Sequence, residues 1–252
     1  MVKFAYQLQN VNIDKLKQSK YDLLVIDNEH TKEEIAKLAP KKVIAYISIG
    51  EAEDYRSYWK KTWKKSPPVW LGKENKEWKG NYTVKQFWHE EWWTAIQSML
   101  DKIIAKGYAG IAMDKVDVFD DLGGSDEMKE HAIKLVCRIS AYCKSKKPKF
   151  MIIAHNAAEL LRDEQYLKAI DGITQEDLVY DWNSDGQTGK LTDPTWRKTV
   201  CGDLERAATK GKEVLILEYV SGLYWKKASK FIQDYGYSGY SAPRDLGSLR
   251  NV

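Results

Sequence analysis

The chain has 252 residues, enough for one large domain with a sizeable core, and its 43% hydrophobic and 30% charged residues exclude global disorder. Forty Lys and Arg against 36 Asp and Glu leave a net charge of +4, too mild a balance to call for a nucleic-acid partner. No apolar run approaches the roughly 20 residues of a membrane-crossing helix, and three cysteines without a C-x-x-C pair offer neither a disulfide framework nor a zinc site.

Strand-like runs alternate with helical patterns along the chain. The expected strands are residues 2–9, 22–27, 42–49, 110–114, 150–155, 172–175, 214–219 and 237–241. Several are near-continuous apolar runs, as strands covered on both faces read. The expected helices are 31–38, 90–106, 126–145, 156–169, 194–209 and 225–235. The first opens on a capping box, Thr31-x-x-Glu34, and the second ends at Gly107. Eight strands mostly followed by helices predict an α/β fold, a (β/α)8 barrel in a single domain over 1–252, with a doubly wound open sheet as the competing arrangement. Residues 51–89 form an insertion after the third strand, with Trp59, Trp63, Trp70, Trp78 and Trp88. It leaves the C-terminal end of a strand, the face on which barrel active sites are built.

Nucleotide loops, H-E-x-x-H and G-x-S-x-G are missing from the sequence, and neither a cofactor nor a metal is expected. The carboxylates carry more information. Asp27, Glu51, Asp114, Asp117, Glu176 and Glu218 fall at or just past predicted strand ends, with Glu53 and Asp54 in the following loop. The face is acidic although the chain is basic. Asp114 closes the fourth strand and Glu176 holds the matching place after the sixth. Two carboxylates that face each other across a sugar can hydrolyse a glycosidic bond, one protonated and one ionised. Any single carboxylate has a plainer use as a helix cap or a surface ion pair.

The strings Tyr6-Gln7-Leu8-Gln9, YDLLVID at 21–27 and VIAYISIGEAEDYR at 43–56 resemble glycoside hydrolase family 114. So do Tyr58-Trp59, Trp70-Leu71-Gly72, Trp78-x-Gly80-Asn81-Tyr82 and Met113-Asp114-x-Val116-Asp117. These are the endo-α-1,4-polygalactosaminidases and their bacterial relatives. The resemblance implies a barrel that cuts internal α-1,4 linkages of a galactosamine polymer, with Asp114 and Glu176 as the catalytic pair. Phe4, where the family often has Trp, and Lys115 depart from the pattern.

A cationic polymer suits an acidic cleft, and the insertion's aromatic faces suit sugar stacking. The expected substrate-binding set is Tyr6, Asp27, Tyr46, Glu51, Glu53, Asp54, Arg56, Trp70, Trp78, Asp117, Asn156, Glu218 and Tyr219. Within it, Arg56 should orient Glu53 and Asp54, and His155-Asn156 should place a donor beside the pair. Glu218 should either bind a substrate amine or brace basic neighbours. At least two of Trp59, Trp70, Trp78 and Trp88 should reach the cleft, while Trp92 and Trp93 belong to the core. Two alternatives remain open: a non-catalytic carbohydrate-binding barrel, and a glycosidase for a neutral or N-acetylated α-glycan. A monomer is expected, acting on a polysaccharide. The N-terminus lacks a signal-peptide pattern. The expected location is extracellular if a leader has been removed and cytoplasmic if the chain is complete.

Overall fold

Eight parallel strands follow one another round a single sheet in sequence order. They are β1 (Phe4–Gln7), β2 (Leu23–Asp27), β3 (Lys42–Ser48), β4 (Gly110–Asp114), β5 (Met151–His155), β6 (Gly172–Glu176), β7 (Glu213–Glu218) and β8 (Ser238–Ser241). The structure is a computed structural model and describes residues 1–182 and 188–250. β8 returns beside β1: the Phe4 and Tyr240 rings lie 5.8 Å apart, and Leu246 O accepts from Leu8 N at 2.9 Å. The sheet is therefore a nearly closed (β/α)8 barrel, as the alternation predicts. The Tyr6 hydroxyl crosses its interior from β1 to Thr174 Oγ1 on β6, at 2.9 Å.

The helices are α1 (Ile13–Gln18), α2 (Lys32–Lys37), α3 (Glu90–Lys106), α4 (Val118–Asp121), α5 (Asp126–Lys146), α6 (Glu164–Ala169), α7 (Pro194–Thr209) and α8 (Gly222–Asp234). The Thr31–Glu34 capping box opens α2, with both of its hydrogen bonds present. α3 buries Trp92, Ile96, Leu100 and Ile103 along one stripe, with Trp93 beside it, as its spacing predicts. Gly107 ends it at φ 93°, a left-handed angle that glycine adopts without steric cost.

The short helices α1 and α4 and a hairpin of Tyr180–Trp182 with Gly189–Leu191 are additions to the expected elements, and two further stretches differ from the expectation. The continuous helix expected over 156–169 is broken. Asn156 and Ala157 take left-handed φ values of 57° and 53°. A 3-10 turn over Ala158–Arg162 follows, and Asp163 caps α6 through the amides of Gln165 and Tyr166. The Asn156 side chain bonds to Glu176, which draws its backbone out of helical register. The insertion, in turn, is folded: Glu51–Glu53, Leu71–Glu74 and Asn81–Val84 make a three-stranded antiparallel sheet. Edge-on ring contacts run from Trp59 to Trp63 (5.2 Å) and from Trp63 to Trp70 (5.0 Å). Trp70 then lies 5.4 Å from Trp92 of α3. Trp92 Nε1 donates to Ile49 O at 2.9 Å, joining this small core to the end of β3.

Candidate active site

Asp114, His155 and Glu176 are the last residues of three adjacent strands, β4, β5 and β6. Parallel pairing brings these ends to one rim of the barrel, where they line a cavity of about 610 Å³. The insertion supplies another part of the wall through Glu51, Glu53 and Trp78, and the segment after β8 contributes Arg244.

His155 stands between the two acids. Its Nδ1 lies 3.8 Å from Asp114 Oδ1 and its Nε2 lies 3.5 Å from Glu176 Oε1. The ring is only 3% exposed, and neither nitrogen has a hydrogen-bond partner among the described residues. Burial disfavours its charge, but Glu176 and Asp114 together outweigh burial and raise its pKa to about 9. A buried imidazolium thus sits between two carboxylates.

Asp114 accepts hydrogen bonds from the Tyr46 hydroxyl and from the Lys115 amide, the latter at 2.7 Å. Lys115 reaches that position with a left-handed φ of 56°. Glu176 accepts from the Tyr219 hydroxyl and, at 3.1 Å, from Asn156 Nδ2. Arg244 Nη1 is 3.7 Å from its Oε1. Burial favours the protonated form of Glu176, yet His155, Tyr219 and Arg244 prevail and hold it well below the usual carboxylate range. Asp117 behaves oppositely. Burial, with Asp114 nearby and only partly offset by Lys115, pushes it up to about 7, and its Oδ1 has no hydrogen-bond partner among the described residues.

The remaining expected residues divide by position. Tyr46, Glu51, Glu53, Arg56, Trp78, Asp117, Asn156 and Tyr219 line the cavity with the pair. Glu51 accepts from Asn75 and Asn81 at 2.7 and 3.0 Å. Arg56 grips Asp27 with two bonds of 2.9 and 2.7 Å and Glu53 with two of 2.8 and 3.3 Å, which holds the Glu53 carboxylate in place. Its second acid is Asp27; Asp54 pairs instead with Lys64 at 2.5 Å. Asp27 and Asp54 do not line the cavity. Tyr6 lies beneath the rim, bonded to Thr174 with its ring 5.7 Å from His155. Glu218 is fully buried and braces backbone amides, Val179 at 2.8 Å and Tyr180 at 3.2 Å. Burial outweighs those donors and pushes its pKa up to about 8, so it needs neither a substrate amine nor a basic neighbour to balance a charge.

The tryptophans need the largest correction. Trp70 is completely buried, and its Nε1 donates to Glu91 at 3.0 Å. Trp59 packs on Trp63 and Tyr82, and Trp88 stacks on His131 at 4.1 Å. Of the four expected at the cleft, Trp78 alone lines the cavity, 41% exposed. The sequence reading also missed Arg244, whose guanidinium covers the Tyr219 ring at 4.6 Å. Its signal was position: it follows the end of β8 by three residues, on the rim where the acids gather. Among the described residues no cluster of His, Cys, Asp and Glu suits a metal ion.

A barrel rim with two carboxylates from β4 and β6 over an acidic cavity defines a glycosidase-like protein. The model of glycoside-hydrolase family GH114 matches residues 1–251, and the chain belongs to that family. An uncharacterised protein of Methanocaldococcus jannaschii is 40% identical over 96% of this chain and 75% of its own. The glycoside hydrolase domain of PelA from Pseudomonas aeruginosa superposes with a TM-score of 0.78 at 14% identity, covering 98% of this chain and 96% of that one. Ega3 of Aspergillus fumigatus, in complex with galactosamine, gives 0.77 at 20% identity, covering 98% and 92%. These two structures share the fold.

Proposed function

We propose that the protein hydrolyses internal α-1,4 linkages of a galactosamine-containing polysaccharide, with Asp114 and Glu176 as the carboxylate pair. The observation that carries this reading is the convergence of both carboxylates on one cavity with a buried His155 between them. Glycoside hydrolysis needs one carboxyl to protonate the leaving oxygen and one carboxylate to attack or to activate water. Charged His155 holds Glu176 ionised, one of the two protonation states that the chemistry needs. Tyr46, Tyr219 and Asn156 fix the orientation of the carboxyl groups, which is what places reacting atoms in line. Glu51, Glu53 and Asp117 make the wall negative, matching free amines on a polymer. The galactosamine bound to Ega3 and the family of this chain support the same substrate class.

The test is release of reducing ends from a de-N-acetylated galactosamine polymer. Cleavage of that polymer, with little on its fully acetylated form, is the expected result. Binding without cleavage would leave a carbohydrate-binding barrel, and preference for the acetylated form would reassign the substrate.

A further inference from the structure

Arg244 stands in the turn that follows β8, and both ends of that turn are pinned to the barrel. Ala242 N donates to Glu218 O of β7 at 3.0 Å. Leu246 O accepts from Leu8 N and Gln9 N, just past the end of β1, at 2.9 and 3.3 Å. The backbone therefore holds Arg244 over the seam where the barrel closes. Its guanidinium lies between two rings. Tyr219, the residue after β7, is 4.6 Å from it, and Trp182, the last residue of the hairpin's first strand, is 5.7 Å from it. Two features keep that hairpin close. The Glu218 carboxyl accepts from the amides of Val179 and Tyr180 at its base. Gly189, paired with Trp182, passes so near the segment after β7 that an added Cβ would stand 2.9 Å from Val220 Cγ1.

The charge of Arg244 has one destination. Glu176 is the only carboxylate within ion-pair distance of it among the described residues, 3.7 Å from Nη1. A half-exposed ion pair alone would add little. Here, however, Arg244 also covers the ring whose hydroxyl donates to the same oxygen, Glu176 Oε1. His155 Nε2 faces that oxygen as well, at 3.5 Å, while Oε2 accepts from Asn156 Nδ2. The guanidinium occupies one face of the buried Tyr219 ring, so a swing of that ring off Glu176 must first displace it. A planar cation suits this slot. A lysine could bring a point charge to Glu176 but would not fill the space between two aromatic faces.

We infer that Arg244 is a positioning residue: clasped between Tyr219 and Trp182, it fixes the Tyr219 hydroxyl and the Glu176 carboxylate against each other. The assignment rests on the reading of Glu176 as a member of the catalytic pair and adds what holds it in line. Misplacing a reacting group by about 1 Å can cost about 10²-fold in rate, so a clasp at this oxygen is felt in kcat rather than in substrate affinity. It also ties the hairpin after β6 to the pair through Trp182.

The experiment has two arms, both on the full chain. In the first, Arg244→Ala is assayed on the de-N-acetylated polymer. Its kcat should fall about tenfold or more while KM stays within about twofold, and millimolar guanidinium should restore much of the loss. Methylammonium, a cation without a planar face, should restore much less. Arg244→Lys, the milder change for the fold, should keep the thermal midpoint and still lose kcat about threefold or more. A loss confined to KM would make Arg244 a substrate-binding residue. That result, wild-type kcat in either variant, or equal recovery with both cations overturns the clasp. The second arm needs no turnover. Guanidinium is titrated into Arg244→Ala while the Trp182 indole is followed by NMR, its signal assigned by its loss in Trp182→Phe. The signal should move in Arg244→Ala and stay in place in the wild type, where the slot is filled. Adding Glu176→Gln should weaken that binding about threefold or more. No shift, or binding indifferent to Glu176→Gln, overturns the assignment. A guanidinium slot that depends on Glu176 in a protein that cleaves no polymer would refute the glycosidase reading and keep the clasp, whereas cleavage with kcat untouched by Arg244→Ala would do the reverse.

Discussion

At the residue scale the site is governed by how charges share a half-buried rim. Asp114→Asn and Glu176→Gln should each lower turnover by at least about 10²-fold, since each removes a proton-transfer or nucleophilic group. Both side chains remain partly open to solvent, at 25% and 18%, so circular dichroism should show both variants folded. Near wild-type turnover in either would remove that residue from the pair. His155 makes a second prediction. Its folded pKa, raised to about 9 by Glu176 and Asp114 against burial, exceeds the unfolded value of about 6.5. Protons are therefore bound more tightly in the folded state. The stability this contributes is fully present below about pH 6.5 and is lost as pH rises through about 9. Denaturant midpoints measured from pH 6 to 10 should fall across that window. In His155→Gln the fall should be much shallower; an equal fall in both proteins would show that His155 is not the titrating group.

At the element scale the insertion is a small folded unit with two kinds of tryptophan. Trp70 is completely buried among Trp63, Trp92 and the Glu91 carboxylate. Trp70→Ala should cost about 3–5 kcal/mol, the range for truncating a large buried aromatic ring. Its thermal midpoint should drop, and any loss of kcat/KM should be equal on short and long chains. Trp78 is exposed at the cavity wall, held by the turn in which Asn75 Oδ1 accepts from the Trp78 amide at 3.3 Å. Trp78→Ala should leave the thermal midpoint nearly unchanged and harm polymers more than short oligosaccharides, since remote binding energy aligns the scissile bond. Comparing kcat/KM against chain length for the two variants separates wall from core. A chain-length effect in Trp70→Ala, or none in Trp78→Ala, would reverse the roles.

For the whole molecule, the distribution of charge matters more than its sum. The net charge is +4, yet the cavity gathers Glu51, Glu53, Glu77, Asp114, Asp117, Glu176 and Asp245 against Arg56, Lys79, Lys115, Arg244 and the charged His155. Arg56 is already tied to Asp27 and Glu53, and Lys115 to Asp121 at 2.9 Å. A cationic polymer therefore meets a negative opening on a positive body. Its kcat/KM should fall with ionic strength, because screening acts over a Debye length of about 10 Å at 0.1 M salt. Glu51→Gln should raise KM and flatten that salt dependence. An unchanged KM and slope would show that the acidic wall does not steer substrate.

The sequence alone determined the alternation of buried parallel strands and helices, because such strands must be apolar on both faces and their helices amphipathic; closure into a barrel rather than a doubly wound sheet was settled by β8 returning beside β1. It also determined which acids end strands, since a carboxylate after an apolar run marks the point where the chain leaves the core. Asp114 and Glu176 were legible in this way. Tertiary structure decided everything that depends on which neighbour a side chain meets. Trp70 and Trp78 lie eight positions apart in one aromatic segment, and only folding against α3 buries one and exposes the other. Glu218 reads like Glu176 at the end of a strand, but the amides of Val179 and Tyr180 claim it. Arg244 carries no motif, and its role follows from β8 returning to β1, which places it over Tyr219 and Glu176. Periodicity and strand ends are local properties of a chain, whereas ion pairing and ring packing are settled between residues far apart in sequence, after the barrel has formed.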